Sequence, residues 1–167
     1  MTHDEVVSAA ARWLSKPLQR AVMRECGLPT FDRCDLVAFD VHSSDVRIVE
    51  VKVSVADARH LSEQLERYRP YCDYLYVAVP EELVDSLPAL PKRVGLIVAW
   101  QCGNSPTGRL VRRPRRVTMD DEYRQKMQRR TVTWLLAFYT KGMLASQKAW
   151  TEGEWTPGEA HGLIGGV

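Results

Sequence analysis

The sequence predicts an α/β fold: one mixed sheet flanked by helices, in the core order α-β-β-β-α-β, with an added C-terminal helix. Three observations carry this. Four short runs, "LVAFDV", "VRIVEVKV", "YLYVAV" and "VGLIVAW", have the length and the β-branched or aromatic content of strands. Apolar residues at helical spacing precede the first run and separate the second from the third. With 167 residues, 45% of them hydrophobic and 26% charged, the chain suits one domain with a proper core rather than a disordered polymer.

The elements follow in order. Thr2 and Glu5 form a capping-box pattern, and Val6, Val7, Ala10, Trp13 and Leu14 recur on one helical face, so residues 3–15 read as an amphipathic helix ended before Pro17. "LQRAVMREC" reads as a strand and "GLPT" as a turn. "CDLVAFDV" and "VRIVEVKV" are two more strands, joined by the polar "HSSD". Ser54 and Asp57 make an S-x-x-D helix start for "ADARHLSEQLERYR", which places Leu61, Leu65 and Tyr68 on one stripe and stops at Pro70. "YLYVAV" is a buried strand closed by Pro80, "EELVDSL" a short helix, and "VGLIVAW" a central strand. "GNSPTG" has turn chemistry, which makes "RLVRR" a hairpin partner. From Asp120 to about Gln147 a long helix follows, with Tyr123, Met127, Trp134, Leu135, Phe138 and Leu144 as its apolar positions. Residues 1–148 form a single domain on this reading, and 149–167 a loosely ordered Gly-rich tail.

The start "MTHDEVVSAAARWL" is acidic and has no long apolar run, and nowhere do about 18 apolar residues follow one another as a membrane span would need. A cytoplasmic location with no membrane partner is therefore expected. Cys26, Cys34, Cys72 and Cys102 lack C-x-x-C spacing and fall on different elements, as free thiols of a reducing compartment do.

Chemistry concentrates in "CDLVAFDVHSSDVRIVEVK". Side chains alternate along a strand, so Glu50 and Lys52 share a face with Ile48, while Val49, Val51 and Val53 point the other way. If the loop is centred on Ser43–Ser44, paired positions sum to 87; Asp35 then faces Lys52, and Val37 faces Glu50. Asp35 and Glu50, with the Val51 carbonyl, offer hard oxygen ligands to Mg²⁺ or Mn²⁺, and Lys52 could orient a water or stabilise charge on a phosphate. The same three residues could equally make a partly buried Asp–Lys–Glu salt-bridge group.

An aspartate followed, fourteen residues on, by Glu50-Val51-Lys52 on a hairpin, in this element order, resembles the PD-(D/E)XK nuclease superfamily, although Cys34 stands where that motif has proline. The longer stretch "IVEVKVSVADARHLSEQLERYRPYCDYLYVAVP" is similar to the MmcB-like DNA-repair family. The resemblance implies a restriction-endonuclease-like fold, a metal-dependent nuclease acting on DNA in repair or processing, and Asp35, Glu50 and Lys52 as catalytic residues. A catalytically inactive module that binds nucleic acid or assembles with a partner is the alternative, and a homodimer is compatible with either. Glu25 falls where related nucleases often carry a further metal-binding or orienting acid; a solvent-facing Glu at a strand end is its other reading. Gln64 and Tyr68, at i and i+4, resemble a Q-x-x-x-Y support for the active site or DNA, and Tyr68 also fits the core stripe. Ser54 and Asp57 cap the helix and tune the site secondarily.

Net charge is only +2, but "GRLVRRPRR" gathers Arg109, Arg112, Arg113, Arg115 and Arg116. "YRQKMQRR" adds Arg124, Lys126, Arg129 and Arg130. Beside a phosphate-binding site these suit DNA, with Arg112, Arg113, Arg115 and Arg116 as backbone contacts; a solvated basic face is the alternative.

Overall fold

Thr2 opens the first helix as its spacing predicts. Its Oγ1 accepts from the Glu5 N–H at 3.3 Å while the Glu5 carboxylate accepts from the Thr2 N–H at 2.7 Å, so two orphan donors of the helix start are satisfied. This helix, α1 (His3–Leu14), buries Val6, Val7, Ala9, Ala10 and Leu14. In the computed structural model of the protein the described residues are 1–16, 20–30, 32–40 and 42–151, and the side chains of 134, 135, 138 and 141–151 are outside the description. The expected tail lies outside the described residues from position 152 onward.

Among the described residues six strands form one sheet in sequence order: β1 (Arg20–Gly27), β2 (Arg33–Asp40), β3 (Val46–Val51), β4 (Tyr74–Pro80), β5 (Gly95–Cys102) and β6 (Ser105–Arg112). The pairs β1–β2, β2–β3 and β5–β6 are antiparallel, whereas β3–β4 and β4–β5 are parallel, so the sheet is mixed as expected. α1 covers one face, packing on Leu36, Ala38, Val49, Val51, Tyr76, Ala78, Ile97 and Ala99. Its approach to β6 is close enough that a Cβ on Gly108 would lie 3.0 Å from the Ala9 carbonyl oxygen.

Residues of the opposite parity, Val37, Ile48, Val77 and Val98, are buried as well. The β3-to-β4 connection consists of a 3₁₀ turn (Asp57–His60), α2 (Leu61–Tyr68) with Leu61, Leu65 and Tyr68 buried, and a second 3₁₀ turn at Arg69–Tyr71. The single helix expected here is thus shorter and bounded by tighter turns, because Pro70 ends it and the Ser54–Asp57 start winds as 3₁₀. "EELVDS" is likewise a 3₁₀ segment. The β5–β6 turn needs only Gly103, at φ +58°, and Asn104, so "SPTG" belongs to β6 rather than to the loop.

Met1–Arg130 forms one compact unit and Thr131–Val167 a second; α3 (Asp121–Thr151) begins in the first. Within the first unit, α3 is anchored by Asp73 at the start of β4. That carboxylate accepts from both ends of the Arg124 guanidinium at 2.8 and 3.1 Å and from the N–H groups of Val46 (2.8 Å) and Met119 (3.2 Å). Met127 is fully buried, and Tyr123 meets Tyr71 edge-on at 5.2 Å. All four cysteines are free, as expected.

Candidate active site

Asp40 sets the β2–β3 hairpin. Its carboxylate accepts from the N–H groups of His42 and Ser43, both at 3.1 Å, and its own N–H donates to the Asp45 carbonyl. The turn therefore closes between Asp40 and Asp45, and the register runs Leu36↔Val49 and Val37↔Ile48, with pairs summing to 85 rather than 87. Continued one step, it sets Asp35 opposite Glu50 instead of Lys52. The slip is an even number, so the faces are unchanged: Asp35, Val37, Ile48 and Glu50 share the side away from α1.

The strand ends here with a substitution in its ladder. The Val51 N–H donates to Asp35 Oδ2 at 2.7 Å, so a side-chain carboxylate stands where a backbone carbonyl of β2 would otherwise accept. Asp35 Oδ1 lies 3.3 Å from His3 Nε2, in the first turn of α1. Next to it, Glu50 Oε1 accepts from Lys52 Nζ at 2.8 Å, and Lys52 also donates to Asp57 Oδ1 at 3.3 Å. Glu50 and Lys52 are each only 4% exposed, and Glu50 Oε2 is buried with no hydrogen-bond partner.

Burial first, and the Asp35 charge second, raise the Glu50 carboxyl from 4.5 to about 7, against the pull of Lys52. For Lys52, burial acts to lower the pKa, but the hydrogen bond and charge of Glu50 and the Asp57 carboxylate outweigh it, and the ammonium is held above its usual value. Burial and then the Glu50 charge push the Tyr68 phenol up, which keeps it a hydroxyl. That hydroxyl donates to the Arg33 carbonyl at 3.1 Å and so ties α2 to the start of β2.

The supporting residues sort differently. Ser54 Oγ accepts from the Asp57 N–H at 3.1 Å, and Asp57 Oδ2 accepts from the Val53 N–H at 3.3 Å. Gln64 lies on α2 with a buried Oε1 that has no hydrogen-bond partner. Glu25 stands opposite Asp35 in the β1–β2 register, between the Arg24–Leu36 and Cys26–Cys34 pairs, with a left-handed φ of 49°. Its carboxylate is 69% exposed and faces Arg33 at 3.4 Å. His3 was not singled out in the sequence; the capping box locates the helix start, but only the docking of α1 brings that start to Asp35.

The arginines of "LVRRPRR" lie at the other end of the parallel strands. Arg116 pairs with Asp45 at 3.0 Å, just before β3 begins. Glu50 is five residues further along an extended chain, so the two ends are roughly 17 Å apart. Arg112 is spent on structure, donating to the carbonyls of Val94, Leu90 and Pro91. Arg113 and Arg115 are exposed and show no side-chain hydrogen bond or ion pair among the described residues. Of the second basic run, Arg124 is held by Asp73, Lys126 by Glu122 at 2.6 Å, and Arg130 donates to the Gly27 carbonyl at 3.2 Å.

Among the described residues no group of three or more His, Cys, Asp or Glu side chains converges as a metal cage. The donors that do meet, two carboxylates with one buried unsatisfied oxygen, fit a hard dication that keeps most of its shell for water and phosphate, as Mg²⁺ does. The Asp35 charge disfavours ionisation of the buried Glu50, and a cation between the two would relieve that repulsion.

The family profile described as DNA repair protein MmcB-like matches residues 2–149. A solved structure, a protein of unknown function from Silicibacter pomeroyi, superposes with a TM-score of 0.64 at 17% identity, over 93% of this chain and 95% of that one. That likeness establishes the fold alone. No curated protein matches the chain. No helix among the described residues is long and apolar enough to cross a membrane.

Proposed function

The chain belongs to the MmcB-like family of DNA repair proteins, and on that premise we propose that it is a Mg²⁺- or Mn²⁺-dependent deoxyribonuclease of the PD-(D/E)XK superfamily. The observation that carries this reading is the meeting of Asp35 and Glu50 at one end of one sheet face, with Lys52 Nζ 2.8 Å from Glu50. Asp35, Glu50 and the Val51 carbonyl would hold the metal; the Val51 N–H already points to the β2 side, and in a strand the carbonyl of the same residue points to that side too. Bound there, such an ion would supply charge neutralisation at a phosphate and a lowered pKa for a water it holds. Lys52, charged and buried, donates to a non-bridging phosphate oxygen or holds the attacking water. The Tyr68 hydroxyl braces the strand that carries Asp35, and Gln64, on the same helix, has a buried oxygen with no hydrogen-bond partner. Glu25 could join the metal only by turning away from Arg33.

A second reading, a nuclease-fold module that binds DNA without cutting, has one observation in its favour. Lys52 is already closed into an ion group with Glu50 and Asp57, as a purely structural lysine would be. Incubation with single-stranded, duplex and flap DNA, with Mg²⁺, Mn²⁺ or EDTA, separates the two. The nuclease reading expects metal-dependent cleavage that falls at least about 100-fold in Glu50→Ala and Lys52→Ala. Cleavage at the wild-type rate in both variants would sink the assignment, and salt-sensitive binding without any cleavage would favour the module.

A further inference from the structure

We infer that Asp57 is a positioning residue for Lys52, the anion that keeps the ammonium in place when Glu50 turns its oxygens to a metal. The inference rests on the metal reading of Asp35 and Glu50 given above, and goes beyond it in assigning a second partner to the lysine.

Asp57 is not occupied as a helix cap. The 3₁₀ turn that begins at Asp57 has Ala56 as its cap residue, with no side-chain capping bond. The Asp57 carboxylate instead turns back toward the strand end, one oxygen on the Val53 N–H and the other 3.3 Å from Lys52 Nζ. Ser54, accepting from the Asp57 N–H, fixes the loop that presents it. Lys52 thus lies between two carboxylates of unlike character. Glu50 is buried beside Asp35, while the Asp57 side chain is 38% exposed and faces only the lysine and a backbone N–H.

A dication on Glu50 would repel an ammonium 2.8 Å from the same carboxylate. Lys52 is too buried to carry its charge into water, so it needs an anion within reach. Asp57 is the one already in contact. With it, the lysine pivots from Glu50 to Asp57 and stays charged at the edge of the metal site, where a phosphate would arrive. Without it, the ammonium stays clamped on Glu50 and competes with the metal.

The test is Mn²⁺ binding to the full chain by isothermal titration calorimetry, in a double-mutant cycle of wild type, Asp57→Asn, Lys52→Ala and the double variant. Asp57→Asn should weaken Mn²⁺ binding about tenfold or more, the scale of a lost charge-assisted hydrogen bond. In the Lys52→Ala background the same change should cost less than about threefold, because the lysine through which Asp57 acts is gone. Asp57→Glu should recover most of the affinity, and Asp57→Ser, which keeps a hydroxyl for the loop and removes the charge, should behave as Asn does. Either Asp57→Asn or Asp57→Ser suffices if the other fails to fold. An equal loss in both backgrounds would mark a structural role and overturn the inference, as would wild-type affinity in the charge-removed variants. A wild type that binds no Mn²⁺ overturns the metal reading itself, and the inference with it.

Discussion

Ionised Glu50 destabilises the fold, and Glu50→Gln should expose the size of the effect. Burial and the neighbouring Asp35 charge raise the Glu50 carboxyl from 4.5 to about 7. A raised acid binds its proton more tightly in the native state, so between those two values the native protein holds more protons than the unfolded chain. Its contribution to stability is fully present below the unfolded pKa and is lost as pH rises through the folded one. At about 1.4 kcal/mol per pH unit, the interval from 4.5 to about 7 corresponds to on the order of 3 kcal/mol. Glutamine keeps the shape and an acceptor for Lys52, but it cannot titrate. Urea unfolding followed by circular dichroism, at steps from about pH 4 to about pH 8, measures the difference between wild type and variant, in which the other titrating groups cancel. That difference should move by roughly 3 kcal/mol in favour of the glutamine protein as pH rises, with most of the change before about pH 7. A difference flat to within about 0.5 kcal/mol, or one moving the other way, would refute the buried, acid-paired environment assigned to Glu50. Added Mg²⁺ should flatten the wild-type slope, because a cation on Glu50 removes the preference for the proton.

Arg124→Ala should destabilise the protein by about 3 kcal/mol in urea unfolding, since it takes both guanidinium hydrogen bonds from the fully buried Asp73 carboxylate and leaves it only Arg116, at 4.0 Å. Burial acts to raise the Asp73 pKa, but Arg124 and the Val46 and Met119 N–H groups win and hold it below 3.8; the stability it brings is present above the unfolded value and is lost as pH falls through the depressed one. Gly108→Val should cost about 1–3 kcal/mol, because a Cβ there meets backbone of α1, the Ala9 carbonyl, at 3.0 Å. Arg112→Ala should lower Tm by several degrees, the carbonyls of Leu90, Pro91 and Val94 losing their donor, with little change in the salt dependence of DNA binding. Arg113→Ala together with Arg115→Ala should do the reverse, leaving Tm alone and reducing the slope of log K against log salt by about 2 in a fluorescence-anisotropy titration.

The sheet and the faces of its strands were legible because they rest on periodicity. Valines at 49, 51 and 53 against Ile48, Glu50 and Lys52 leave one way to set the strand, and the parity of the hairpin survived an error in its register. The register itself was not legible, because it depends on which acid begins the turn. Asp40 ends β2, as its sequence predicts, but its side chain also accepts from His42 and Ser43 and so sets the turn. The arginine cluster misled in a related way. The adjacent Arg112 and Arg113 of "RLVRRP" look alike in sequence, yet strand pairing with β5 aims Arg112 at three carbonyls while Arg113 remains outside. Asp73 carries no local signal of its role at all, since its partners Val46, Met119 and Arg124 are 27, 46 and 51 residues away.

The parallel strands give the molecule two chemically different ends. Where β3 and β4 begin, Asp45 and Asp73 are each held by arginine, and Asp73 also accepts from backbone N–H groups; no acid there lacks a donor, and the result is an anchor for α3. Where β3 ends, the balance reverses. Asp35, Glu50 and Asp57 share one lysine, one backbone N–H each for Asp35 and Asp57, and the imidazole of His3, and Glu50 keeps a buried oxygen with no donor. Near the start of β3 the buried group without a partner is a donor, Arg47 Nη1, whereas at this end it is an acceptor, which costs about 1–3 kcal/mol. Such a local deficit of positive charge is what a bound cation would complete. On the proposed reading, a duplex that touched both this site and the arginines roughly 17 Å away along β3 would span about five base pairs, at ~3.4 Å per step.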